Sequence, residues 1–130
     1  MTLAYACLLV AALLPYVWTV VAKQSAGGRL DNHEPRLWLE KEATPKSRRA
    51  DAAQKNAFEA FPAFAAAVLM AQAAGVDPQR IGWLAAAFVV FRVLHGLFYV
   101  GNQASMRSLV WFAGLLCVLA LMGMAILRVA

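Results

Sequence analysis

Charge is scarce in this chain: Asp, Glu, Lys and Arg make up only 15% of it, and seven residues in all are acidic. The run at residues 3–22 has no carboxylate at all. Cysteine is limited to Cys7 and Cys117, each inside an apolar run near opposite chain ends. A cysteine so placed reads as a small hydrophobe, and nothing nearby suggests a thiolate. His95 has no partners at ligand spacing, so no metal site is expected there. The formal charge of +5 comes with no Gly-rich phosphate loop and no basic stripe interleaved with aromatics, which argues against nucleic acid as a partner.

What the chain has instead is apolar surface. Hydrophobic residues make up 62% of it, against about 45–50% in soluble domains. They are collected into long runs, and this moves the reading to an integral membrane protein of one domain, residues 1–130. Residues 3–22 match the roughly 20 needed to cross a bilayer core of about 30 Å. That run lacks a positive n-region and exceeds the length of a signal-peptide core, so it reads as the first span. The other spans are expected at 50–74, 78–100 and 105–127. Gly75 with Asp77-Pro78, and Gly101-Asn102-Gln103, supply the breaks between them.

Residues 23–49 form a long polar connection with Gly27-Gly28, Pro35 and Pro45 as breakers. Its length favours a functional or partly ordered segment. Leu37-Trp38-Leu39 inside it suits the membrane interface. Seven Lys or Arg lie in this connection, and eight of the chain's twelve lie between Lys23 and Lys55. The positive-inside rule therefore places this loop and the third connection in the cytoplasm, with both termini outside. The expected fold is all-α, an integral membrane antiparallel four-helix bundle.

This topology brings the start of the second span, the end of the third and the start of the fourth to the same side. Asn56 and Glu59 share a face at i, i+3, and Arg92, His95 and Tyr99 share one at i, i+3, i+7. Glu59 and Arg92 both lie about 13 Å deep at 1.5 Å per residue. An Arg at that depth needs a partner, so Arg92 is expected to face Glu59. Arg107 and Ser108 open the fourth helix, where backbone N–H groups are free. Together these residues outline a pocket for a small anionic ligand with several hydrogen-bonding groups.

Each residue also has a plainer reading. An Arg92–Glu59 pair can be a structural ion pair. The basic residues of 36–55 can be topology determinants, with Lys55 reaching headgroups. Tyr99 can be an interface anchor. It is the convergence of the polar set that carries the site.

Four segments resemble the MAPEG family, the membrane-associated proteins in eicosanoid and glutathione metabolism, and look most like its small bacterial branch. They are Asp31-Asn32-His33-Glu34-Pro35-Arg36, Ala53 to Pro62 with Asn56, Glu59 and Pro62 at spacings of three, Arg92-Val93-Leu94-His95 through Tyr99, and Arg107-Ser108. The resemblance runs over all four spans in order.

It implies a homotrimer in a bacterial inner membrane, with periplasmic termini and glutathione as co-substrate bound between protomers at the cytoplasmic side. It further implies a transferase or peroxidase acting on small lipophilic electrophiles or peroxides from the bilayer. Asn56 and Glu59 look like the second-helix glutathione contacts, His95 and Tyr99 like the third-helix ones. Arg107 looks like the Arg that stabilises the thiolate, with Ser108 beside it.

Two positions depart from the family pattern. Ala52 stands where an Arg is usual, leaving Arg48 and Arg49 as the nearest substitutes, and Lys23 stands nearest the usual Arg at the end of the first helix. The alternative function is a non-catalytic MAPEG-like membrane protein that binds a lipid or amphipathic anion. A four-span drug/proton exporter fits the span count, but such exchangers resemble one another in a first-span carboxylate that is absent here.

Overall fold

Two prolines that read as breakers in the sequence turn out to start helices. The computed structural model describes residues 1–130 as α1 (Thr2–Gln24), α2 (Pro35–Lys41), α3 (Pro45–Ala73), α4 (Pro78–Val100) and α5 (Ala104–Val129). Pro35 and Pro45 each occupy a first-turn position, where the missing N–H costs nothing. The segment at 23–49 is therefore not wholly irregular: it holds α2 and the first turn of α3.

The early start of α3 has a local cause. Thr44 is its N-cap: the Ser47 N–H donates to Thr44 Oγ1 at 3.1 Å, and the Thr44 N–H donates to Ser47 Oγ at 2.8 Å. This is a capping box closed by Ser in place of the usual Glu or Gln. Thr44 Oγ1 also donates to the Ser25 carbonyl at 2.7 Å, and the Gly27 N–H donates to the Glu42 carbonyl at 2.9 Å. The two ends of the 25–44 loop are thereby stapled together over the end of α1.

At the other end of α3 the chain turns through Gly75, whose φ of 74° lies in the left-handed region. Asp77 then caps α4, its Oδ1 accepting from the N–H groups of Gln79 at 3.1 Å and Arg80 at 2.9 Å. Between α4 and α5, Asn102 takes the left-handed conformation with φ 59°.

Helices α3 and α4 form the central pair, and α1 and α5 each pack against both. One end of the bundle gathers Met1 beside Pro78 and Gln79, and Gly75 and Asp77 beside Arg128. The opposite end, here the loop end, carries the 25–44 staple and the α4–α5 turn. The main apolar core joins Ala4, Phe64, Ala67, Val68, Ile81 and Leu121, all fully buried. Phe64 and Phe88 stack within it, with centroids 3.9 Å apart and planes at 12°. Cys7 and Cys117 are buried in this core as free thiols.

A smaller core at the loop end joins Leu14 and Trp18 to Ala53 and Ala57. There Trp18 lies directly on Gly96, where an added Cβ would overlap the indole ring. The outward faces of α1 and α5 carry Leu9, Leu13, Leu116 and Leu119, all exposed, as helices facing lipid require.

By length and composition α1, α4 and α5 can each cross a membrane. Helix α3 falls outside that set because its first half holds Lys, Arg, Gln, Asn and Glu. Its 29 residues run roughly 43 Å at about 1.5 Å each, so the polar turns project past a core of about 30 Å.

Candidate functional site

The deepest charge in the bundle belongs to Arg92, only 4% exposed. Its Nη2 donates to Asn56 Oδ1 at 2.6 Å, tying α4 to α3. The expected direct partner, Glu59, is not the acceptor. Glu59 instead lines a cavity of about 210 Å³ together with Asn56 and Arg92. The remaining walls of that cavity include Phe88 from α4 and Trp111, Gly114 and Leu115 from α5.

Helical geometry explains the change of partner. Depth along an axis placed Glu59 level with Arg92, but three residues at about 100° each turn Glu59 roughly 60° away from Asn56. That rotation takes Glu59 off the α4 side of α3, and its side chain is exposed. A carboxylate on an otherwise apolar bundle is costly in lipid unless something covers it.

A second group stands nearer the loop end. His95 and Tyr99 meet edge to face with centroids 5.6 Å apart, and the Arg107 Cζ lies 4.3 Å from the Tyr99 ring centroid. His95 is buried, whereas Tyr99 and Arg107 are half-buried and open to the bundle surface. A guanidinium at that distance over a phenol ring makes a cation–π contact worth about 0.5–1 kcal/mol at an exposed site. The contact holds Arg107 in place and leaves its N–H edge free to receive an anion. Ser108 follows, exposed, but the helix opens at Ala104 rather than at Arg107, and the Arg107 N–H donates to the Gln103 carbonyl at 3.0 Å, so it is not the free helix-opening N–H expected from the sequence.

Arg49 has a structural partner. Its Nε donates to the Val100 carbonyl at 3.0 Å, satisfying one of the orphan acceptors at the C-terminus of α4. The guanidinium of Arg49 is thus held at the same end as Tyr99 and Arg107. Lys55, read as reaching for headgroups, pairs with Asp51 at 2.7 Å, both on α3 one turn apart. Exposed pairs of this kind contribute little, typically about 0.3–0.5 kcal/mol.

The structure therefore sorts the expected residues into two neighbouring groups. Asn56 and Glu59 share a cavity with Arg92, while His95, Tyr99 and Arg107 form a row beside it. The i, i+3, i+7 face of α4 connects them. Trp111 and Gly114 carry no signal in the sequence because α5 is apolar from Leu109 to Leu127, so nothing marks which face meets Arg92. A cleft of about 700 Å³ between α2 and α3, lined by Arg36, Glu40, Ser47, Arg48, Asp51 and Gln54 among others, was missed in the sequence reading. Only the short helix α2 creates it.

A membrane four-helix bundle with ionisable groups gathered at one end is the class of protein that fold and site define. The chain belongs to the MAPEG family, whose model matches residues 3–127. That family is a four-transmembrane-helix bundle in which glutathione-related membrane enzymes are typical. No curated protein and no solved structure matches the chain.

Proposed function

We propose that this protein is an integral membrane glutathione-dependent transferase or peroxidase acting on lipophilic electrophiles or peroxides. The observation that carries the reading is the Arg107 guanidinium held 4.3 Å over Tyr99, next to buried His95 and the Arg92–Asn56 pair. Glutathione is the co-substrate, and its donor and acceptor groups fit what the site offers. With Asn56 Oδ1 taken by Arg92, the Asn56 amide presents its two N–H donors to a ligand carboxylate. Arg107 supplies a fixed cation for sulfur, lowering a thiol pKa from about 8.5.

The thiolate then attacks the electrophile, forming an S–C bond as the leaving group departs. With a peroxide it attacks oxygen and breaks the O–O bond. The alcohol is released, and the resulting sulfenic acid condenses with a second glutathione thiol to give the disulfide and water. The protein's share is orientation and electrostatic stabilisation of the thiolate.

The exposed carboxylate of Glu59 supports a homotrimer in which a second copy covers this face of α3 and completes the glutathione site between protomers. The same reading puts the loop end in the cytoplasm and both termini in the periplasm. Equilibrium binding of glutathione to the detergent-purified protein tests the proposal, with thiolate absorbance as the readout. No binding at millimolar glutathione sinks it.

A second reading, a non-catalytic member binding a lipid or amphipathic anion, is favoured by one observation. Ala52 leaves the α3 face without a cation one turn before Asn56, and the Nε of the nearest substitute, Arg49, is engaged by Val100. Binding of an acyl-chain anion with no response to glutathione would select it.

A further inference from the structure

At the end of the bundle opposite Arg107, the α3–α4 turn, the first turn of α4 and the last turns of α5 border an open cleft of about 600 Å³. Its charged walls are Arg80, Arg128 and Asp77, and its apolar walls include Met124 and Leu127. We propose that this cleft binds the headgroup of an anionic phospholipid. The phosphodiester sits between Arg80 and Arg128, and the glycerol and acyl chains run along Met124 and Leu127.

Position along the membrane normal supports this first. The 23 residues of α4 span about 34 Å at 1.5 Å each, slightly more than a hydrocarbon core of about 30 Å. Its first turn, with Arg80, therefore stands at headgroup level. Arg128 reaches the same level from the last turn of α5.

Charge supports it next. The structure's one ion pair joins Lys55 and Asp51, so neither Arg80 nor Arg128 is neutralised by a carboxylate within the chain. Asp77 Oδ1 is turned onto the α4 N-terminus, accepting from the Gln79 and Arg80 N–H groups at 3.1 and 2.9 Å. Two guanidiniums against one carboxylate leave the lining with a net +1, the complement of a lipid of net charge −1; a zwitterionic lipid has the same phosphodiester but adds a quaternary ammonium that the guanidiniums repel. Arg fits phosphate oxygens with paired N–H donors.

Shape supports it last. Gly75 belongs to the lining, and a Cβ there would meet nothing within 4 Å. Leu127 in the lining is 80% exposed, so this apolar wall lies open to the outer face of α5. A free phosphate would use the arginine pair alone, whereas a lipid uses both walls.

Native mass spectrometry of the protein in neutral detergent, titrated with phosphatidylglycerol or phosphatidylcholine, tests the site. The expected result is retention of phosphatidylglycerol in preference to phosphatidylcholine. Arg80→Gln with Arg128→Gln should weaken phosphatidylglycerol roughly 30-fold, remove its preference over phosphatidylcholine and leave the unfolding temperature unchanged. Should the double variant not fold, Arg128→Gln alone, at an exposed position, should still cost about fivefold. Arg36→Gln with Lys41→Gln, at the loop end, should leave phosphatidylglycerol retention intact. Equal binding of the two lipids overturns the proposal, as does full retention by the Arg variants. Displacement of phosphatidylglycerol by millimolar inorganic phosphate overturns it too, since the cleft would then be a free-anion site.

Discussion

Arg92 Nη2 donates to Asn56 Oδ1 at 2.6 Å, and this bond joins the two central helices at the level where the candidate site begins. An arginine buried to 4% exposure depends on that acceptor. Asn56→Ala removes it and leaves a buried guanidinium without its partner, which costs about 2–4 kcal/mol. Glu59→Gln keeps the Arg92 bond, so its cost is expected to stay below about 1 kcal/mol. Unfolding of both variants in detergent checks the order. If Glu59→Gln proves the more damaging, Glu59 rather than Asn56 is the group that holds Arg92.

The same pair shows where sequence reasoning reached and where it stopped. The depth of Arg92 follows from counting residues to the helix end, and so does the short set of α3 residues able to meet it. The azimuth does not, because a rotation of about 60° separates Asn56 from Glu59 and decides which one touches α4. The start of α3 was hidden for a different reason. Its capping box closes through Ser47 rather than Glu or Gln, so Pro45 read as the end of order instead of the beginning of a helix. Helix α2 is seven residues long with none buried, too short and too exposed for hydrophobic periodicity to register. The row of His95, Tyr99 and Arg107 was legible because i, i+3, i+7 spacing and a short turn leave those side chains few other places to go.

Arg107 is held by the Tyr99 ring, and this separates two kinds of damage. Arg107→Ala removes the cation proposed to stabilise the thiolate. Glutathione-dependent turnover should fall by about two orders of magnitude, and its pH profile should move towards higher pH as the thiol returns to its ordinary ionisation. Tyr99→Phe keeps a ring under the guanidinium, so the pH profile should stay where it is. Tyr99→Leu removes the ring and should broaden the response, with a loss of about 0.5–1 kcal/mol in ligand binding. Steady-state rates across pH for the three variants check the set. An unchanged profile in Arg107→Ala would falsify the thiolate role.

Helix contact at the loop end rests on one glycine. An added Cβ at Gly96 would overlap the Trp18 indole, and that ring is itself buried among Leu14, Ala53 and Ala57. Gly96→Ala therefore forces α1 away from α4, at about 1–3 kcal/mol. Gly114 is also buried, yet a Cβ there would lie 3.8 Å from Arg92 Cδ and from Phe88 and Phe91, an ordinary contact distance. Gly114→Ala should be neutral or slightly stabilising through the gain in helix propensity. Thermal unfolding of the two variants side by side gives the comparison, and a larger loss at Gly114 would contradict the packing described.

Ala52 sits one turn before Asn56 on α3, with its side chain partly exposed, so the backbone there can carry a longer residue without entering the core. The nearest existing cation, Arg49, has its Nε bound to the Val100 carbonyl and cannot leave without freeing the C-terminus of α4. A new Arg at position 52 has no such obligation and would stand beside the Asn56 amide. Ala52→Arg should tighten glutathione binding about tenfold, the worth of one charge-assisted hydrogen bond to a carboxylate. The gain should shrink with added salt, as expected for a partly exposed charge. Calorimetric titration of glutathione and of its ethyl ester, which lacks one carboxylate, checks both statements. If the natural ligand is instead an acyl-chain anion, the substitution should tighten that ligand and leave glutathione unbound, which makes this the variant that separates the two readings.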